Sequence, residues 1–293
     1  MKKIELIIGE SADIPEEIIE KHQMVVVPYV VDWRDGDTIE GENIYQKMRK
    51  AEEKGIEALP KTSQPSPWTF KFFFEEELKN SEKILCITIS SKLSGGYNSA
   101  CQGKGTLSEE EQKRTFIIDS LNVTSGEGLF VMKAVELIEK GEDIEEIVKE
   151  LKEFVPKVHL FGMLEDPKWL EAGGRMSHAL ATLVRQMAKI GMRPLVGLKE
   201  GIVTSVALKM QAKDRPMALF RELEKETKKE REFGKRIRVA IAHADNLEGA
   251  QRLKEIIEHE FKENIDVAFV HLISTVIGAH VGPGTLICCW CEY

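Results

Sequence analysis

Short apolar runs alternate with amphipathic stretches along the whole chain. The runs Ile4–Ile8, Met24–Val31, Ile84–Ile89 and Thr115–Asp119 are rich in Ile and Val, and each predicts a strand. Between them the period changes. Ile144, Ile147, Val148, Leu151 and Phe154 follow the i, i+3, i+4, i+7 stripe of an amphipathic helix. Alternation of this kind predicts a parallel sheet covered by helices. Near Pro156 the pattern restarts with a strand over Val158–Met163. Two adjacent runs follow, Pro194–Leu198 and Ile202–Ala207, joined by Glu200-Gly201, which is a hairpin signal. A charged helix from Asp214 to Glu232, a strand Arg238–His243, a helix Leu247–Phe261, a strand Val267–Leu272 and a last strand Thr285–Trp290 complete the pattern. The fold class is therefore α/β in two domains: a parallel three-layer α/β/α domain over residues 1–156 and an α/β domain with a mixed sheet over residues 157–293.

Composition narrows what such a chain does. Its 293 residues are 42% hydrophobic, enough to bury a sizeable core, and 41 basic against 49 acidic side chains leave a net charge of −8. A surface of that sign disfavours nucleic acid and anionic membrane surfaces as partners. The one basic stretch, Lys225 to Arg238, is interleaved with Glu222, Glu224, Glu226, Glu230 and Glu232, so it reads as a solvated helix face. The opening run, broken by Glu5, is much shorter than the ~20 residues that span a bilayer, and too short for a signal-peptide core. The expectation is a cytoplasmic protein without integral membrane association. Five cysteines, an odd number, agree with a reducing compartment. Cys288 and Cys291 make a C-x-x-C spacing at the end of an apolar run, with no second ligand pair for zinc, and they read as packed thiols in a strand.

Three Gly- or Pro-shaped polar loops carry the candidate chemistry. After the strand Ile84–Ile89 comes Ser90 to Ser99, where Gly95 and Gly96 let the backbone approach an anion at the start of a helix. It has neither Walker nor dinucleotide spacing. A second loop, Lys61-Thr62-Ser63-Gln64-Pro65-Ser66-Pro67, ends in an N-cap serine followed by proline at the first helical position. The cap accounts for Ser66 and Pro67 and leaves Thr62, Ser63 and Gln64 unexplained. The third loop, Ile277 to Gly284, sets three glycines around His280. Nucleophile elbows and metal-binding motifs are absent from the sequence. Hydroxyls, an imidazole and backbone amides suit holding a small anionic headgroup.

These loops, in order, resemble the DegV family, which includes the fatty-acid-binding subunits of bacterial fatty acid kinase. The matching pieces are Ser11-Ala12-Asp13-Ile14-Pro15, Val25-Val26-Val27-Pro28, Lys61 to Ser66, Ser90 to Ala100, Ile118-Asp119-Ser120, Gly173-Gly174-Arg175, His243-Ala244-Asp245-Asn246 and Gly278 to Gly284. The resemblance implies two α/β domains with one long-chain fatty acid between them and no cofactor. It implies that the carboxylate is held by Thr62 and Ser63, Ser94 and Gly95, and His280. It implies as well a separate ATP-dependent kinase subunit, acting in phospholipid metabolism, to which the acid is presented, with Arg175 near that partner's surface. This chain departs from the family at Gly9-Glu10-Ser11, and at Ala207–Lys213, where a usual Arg and Gly are missing. A different class stays open beside this one: a small-molecule enzyme with His280 as general acid–base and the Ser94 loop as anion cradle.

Overall fold

In the computed structural model, which describes residues 2–56, 59–210, 214–261 and 264–293, the run Met24–Val31 breaks at Pro28. Proline has no N–H for a ladder, so the single expected strand becomes two short ones in different sheets. In chain order the strands are β1 (Lys2–Gly9), β2 (Val25–Val27), β3 (Val30–Asp32), β4 (Lys61–Ser63), β5 (Ser81–Thr88), β6 (Thr115–Asp119) and β7 (Val158–Met163). They continue as β8 (Met192–Lys199), β9 (Ile202–Met210), β10 (Ile237–His243), β11 (Ile265–Leu272) and β12 (Leu286–Glu292). The chain divides into two units: Met1–Val30 with Ser63–Val158, and Val31–Thr62 with His159–Tyr293. The expected stretches, 1–156 and 157–293, were each continuous; the observed second unit also takes in Val31–Thr62.

The first unit carries a parallel sheet of order β2-β1-β5-β6. The chain leaves β1 to one side for β2 and to the other for β5, so a crevice opens at the carboxyl ends of β1 and β5. Ile7, Val27, Ile84 and Cys86 pack against Phe70 and Phe74 of the helix Pro67–Glu77, and these apolar faces hold the layer together. That helix starts as its sequence requires: Ser66 Oγ accepts from the Thr69 N–H at 3.1 Å, and Pro67 occupies the first turn. The helix Ile144–Phe154 buries Ile144, Ile147, Leu151 and Phe154, the stripe read from the sequence.

The second unit carries a mixed sheet of order β11-β10-β12-β7-β8-β9. The β8–β9 hairpin turns on Glu200 and Gly201, at φ +52° and +79°, matching the twist of the flanking strands. Residues 211–213, part of the segment where the chain departs from its family, lie outside the described residues. The expected single charged helix is two, Arg215–Glu226 and Lys228–Glu232. They break at Thr227, whose hydroxyl donates to the Leu223 carbonyl at 2.7 Å. Lys225 pairs with Glu222 at 3.1 Å and Lys228 with Glu232 at 3.8 Å, so these basic residues are matched on their own helices. In β12 side chains alternate faces, so Cys288 joins Trp290 in the core while Cys291 points to the opposite face. The C-x-x-C pair is thus split across the sheet. Among the described residues no helix is long and apolar enough to cross a membrane.

Candidate functional site

The candidate residues fall into two clusters, one in each unit. In the first unit, the turn after β5 folds back as the Ser94 N–H bonds the Ser90 carbonyl at 3.1 Å. This aims the Ser94–Gly95–Gly96 backbone into the helix Gly96–Gly105, and the Gly96 N–H donates to Ser94 Oγ at 3.2 Å. Gln64 of the Thr62–Pro65 loop lies against the same turn. A Cβ placed on Gly95 would meet its Nε2 at 2.9 Å, so a larger residue there would displace the Gln64 side chain. Two motifs read separately in the sequence therefore sit side by side. Ser63 is exposed at the end of β4.

Beneath Ser94 lie groups that sequence reasoning missed. The Tyr29 phenol lies close to Ser94 and Ser11, and burial, reinforced by Glu127, raises its pKa above the usual tyrosine range. Ser11 Oγ is 2.9 Å from Oε2 of Glu127, a fully buried carboxyl whose Oε1 has no hydrogen-bond partner. Burial raises the Glu127 pKa well above the ordinary carboxylate value, and Asp13 and Asp119 add to the rise. Thr124 Oγ1 donates to Asp13 Oδ2 at 2.5 Å, and the Thr124 N–H bonds the Ser11 carbonyl at 2.9 Å, tying the β1 turn to the helix Ser125–Glu139. The available signal was faint: one acid between two glycines at the head of a helix whose other charges, Lys133, Glu136 and Glu139, come only in its second half.

In the second unit, His280 does not lie in an open loop as expected. Val276, Ile277 and Ala279 are buried, and their packing winds Thr275–Val281 into a short helix that ends at Gly282. His280 Nε2 is 2.7 Å from Thr62 Oγ1, across 218 residues of sequence. Burial, and secondarily the nearby Arg175 cation, hold its pKa down at about 4, so the ring is neutral at neutral pH. Its Nδ1 is buried without a hydrogen-bond partner. A buried N–H left without an acceptor is costlier than a lone pair left without a donor, which puts the proton on Nε2. Nε2–H then donates to Thr62, and the Thr62 hydroxyl proton is left for an outside acceptor.

Gly173-Gly174-Arg175 closes the helix Lys168–Ala172 as a left-handed cap, with Gly174 at φ +73°. The half-buried Arg175 then turns back and donates to the Gly173 carbonyl at 2.5 Å. Gly173 presses on His280: a Cβ there would collide with Nδ1. Because φ at Gly173 is −73°, alanine fits the backbone, and Gly173→Ala is expected to keep the fold and push the imidazole out. NMR titration of His280 reads the outcome as a rise from about 4 toward the ordinary 6.5.

A polar concavity of the second unit, a cleft of about 330 Å³, is lined by Arg49, Glu165, Arg215, Asn246 and Arg252 among others. Its arginines are engaged within the unit. Arg49 bonds Glu165 at 3.1 Å, Arg252 bonds Asp214 at 2.5 Å, and Arg215 donates to the Gly284 carbonyl at 2.7 Å. The Gly284 N–H in turn bonds the Ala244 carbonyl at 2.7 Å. The His243–Asn246 and Gly282–Gly284 motifs are therefore knotted to each other, and they hold the His280 helix in place. Among the described residues no cluster of His, Cys, Asp or Glu is arranged to hold a metal ion.

Comparison with known proteins agrees with this architecture. A DegV protein of Clostridium acetobutylicum is 33% identical over 286 residues, covering 96% of each chain. A protein of Thermotoga maritima named as a fatty acid-binding protein is 30% identical, covering 97% of this chain and 96% of its own. Among solved structures, a DegV family protein of Thermus thermophilus described for its fatty acid binding superposes with a TM-score of 0.82 at 25% identity, covering 99% of this chain and all of that one. The model of the family described as "Uncharacterised protein, DegV family" matches residues 3–292, and the chain belongs to the DegV family.

Proposed function

We propose that the chain binds a long-chain fatty acid, holds its carboxylate on Thr62, Ser63, Ser94, Gly95 and His280, and presents it to a separate ATP-dependent kinase subunit. The observation that carries this reading is the neutral His280 bonded to Thr62, which reserves the Thr62 hydroxyl proton for an acceptor such as a carboxylate oxygen. A histidine held near 4 is a fixed hydrogen-bonding group at neutral pH, and general acid–base work favours one near the operating pH. The fatty-acid-binding relatives from Thermotoga and Thermus support the ligand class. The kinase partner rests on the family resemblance, and Arg175 beside His280 is the cation such a partner would meet. Affinity comes from the tail at ~0.8 kcal/mol per buried methylene, less the cost of association, and the headgroup bonds set which end sits where.

Native mass spectrometry of the purified protein with an added C16 or C18 acid tests the reading. The expected result is a one-to-one adduct, together with a loss of roughly 10–100-fold in affinity for Thr62→Ala, as for one charge-assisted hydrogen bond of about 1.5–3 kcal/mol. A protein that carries no extractable acid and takes up none ends the proposal.

A further inference from the structure

An open sheet ends in two edge strands, and each offers its free N–H and C=O groups to any strand that comes near. Among the described residues the three sheets have six such strands, and five are guarded. β2, β3 and β4 are three residues long, and β6 is five, with Lys83 and Lys104 standing over its Phe116 ring. β11 carries Asp266, half exposed and 3.9 Å from Arg238. β9 has no such guard. It runs nine residues at the end of the order β11-β10-β12-β7-β8-β9, with no strand on its outer side among the described residues. Residues 202–208 include no charged side chain, no proline and no glycine. We propose that two copies of this chain join through β9, paired antiparallel about a two-fold axis at Thr204, to make one continuous sheet. The inference is independent of the fatty acid reading.

Side chains alternate along a strand, so Ile202, Thr204 and Val206 share one face of β9, while Ala207 packs against the core from the other. On the shared face Ile202 is 54% exposed and Val206 39%. Val206 reaches over Gly197 of β8, where a Cβ would stand 2.8 Å from its Cγ1. The four-residue spacing of the two apolar side chains fits the strand to its own copy. A two-fold axis at Thr204 sets Thr204 opposite itself, and sets Ile202 opposite Val206 of the partner subunit, and the reverse. Both exposed side chains then meet an apolar one, and two threonine hydroxyls meet on the axis, pairings that stabilise sheets. Charge points to the same occupant. At a net −8 two copies repel over most of their surface, and an uncharged edge is where they approach with least repulsion. The same patch serves both copies, so the assembly closes at two. A foreign strand would gain the ladder bonds without this crosswise match.

Native mass spectrometry and light scattering of the full chain, from about 1 to 100 μM, read the association directly. Wild type is expected to pass from monomer to dimer in that range. Val206→Lys, which sets two cations into each paired edge, is expected to weaken the association roughly 100-fold. Disulfide trapping reads the register even if that variant fails to fold. In a Cys101→Ser background, which removes the exposed native thiol, Thr204→Cys should oxidise to a covalent dimer, because opposed residues of an antiparallel pair stand about 4.5–5.5 Å apart at Cα. Ile202→Cys and Val206→Cys should link to each other when mixed and hardly to themselves, each lying about 14 Å from its own copy. Four results would each overturn the pairing. They are a wild type still monomeric at the highest concentration, a dimer that Val206→Lys leaves intact, self-linking of Ile202→Cys as fast as the mixed pair, and a different protein's strand held in place of the second copy.

Discussion

Gly282→Ala is expected to lower the thermal unfolding midpoint by roughly 5–15 °C, read by calorimetry or by the signal of the adjacent Trp169. Gly282 sits at φ +73° and ψ 167°, a region that only glycine enters freely, and alanine there carries strain of about 1–3 kcal/mol. Its new Cβ would also collide with the buried Trp169 ring, an overpacking cost of about 1–3 kcal/mol more. Gly234 separates the two effects. It has φ +72° and open space around its Cβ position, so Gly234→Ala should show the left-handed strain alone, about 1–2 kcal/mol. Equal losses in the two variants would mean that Trp169 yields freely and that the Gly282 turn does not clamp the His280 helix.

The second large effect concerns acid. His280 titrates at about 4 in the folded protein against 6.5 for an ordinary imidazole. Between those values the unfolded chain holds a proton that the native state refuses. Stability from this residue is therefore fully present above pH 6.5 and is lost as pH falls toward 4. The loss amounts to about 3 kcal/mol at the end of that window. Denaturant unfolding at a series of pH values, wild type against His280→Gln, isolates the effect from carboxylates that titrate nearby. The variant should show a flatter decline between pH 6.5 and 4. Parallel curves would mean that His280 accepts its proton in place, and the neutral donor assigned to it for Thr62 would be lost with that.

Several elements were legible from period and punctuation alone. Thr115–Asp119, Ile144–Phe154 and Val158–Met163 begin and end where their apolar patterns do. The break at Pro28 was written in the sequence too, but a single proline competes there with a long run of valines, and the strand count follows the proline. The His280 segment misled for a physical reason. Gly282-Pro283-Gly284 announces a loop, whereas Val276, Ile277 and Ala279 find a core to pack on and wind the preceding residues into a helix. Thr62, Ser63, Ser94 and His280 stood out as candidates because glycine and proline shape the backbone around them. Tyr29 and Glu127 did not, because nothing local marks Tyr29 and only the flanking Gly126 and Gly128 mark Glu127. Glu127 acquires its meaning from Ser11, 116 residues away, and that partnership exists only once β1 and the helix Ser125–Glu139 have met.

The order β11-β10-β12-β7-β8-β9 also has a consequence for how the second unit comes into being. Its two flanks, β10 with β11 and β7 with β8 and β9, are made before β12, and in the finished sheet β12 is what joins them. On a ribosome, both flanks must wait with unpaired edges, and an unpaired strand edge is a template for the wrong partner. The helix bearing His280 waits with them, since it is anchored through Gly284 to Ala244 at the end of β10. Assembly of the second unit is thus largely a single late event, gated by Leu286–Glu292. Its vulnerability lies in the interval before that strand arrives, when chaperones have most to hold.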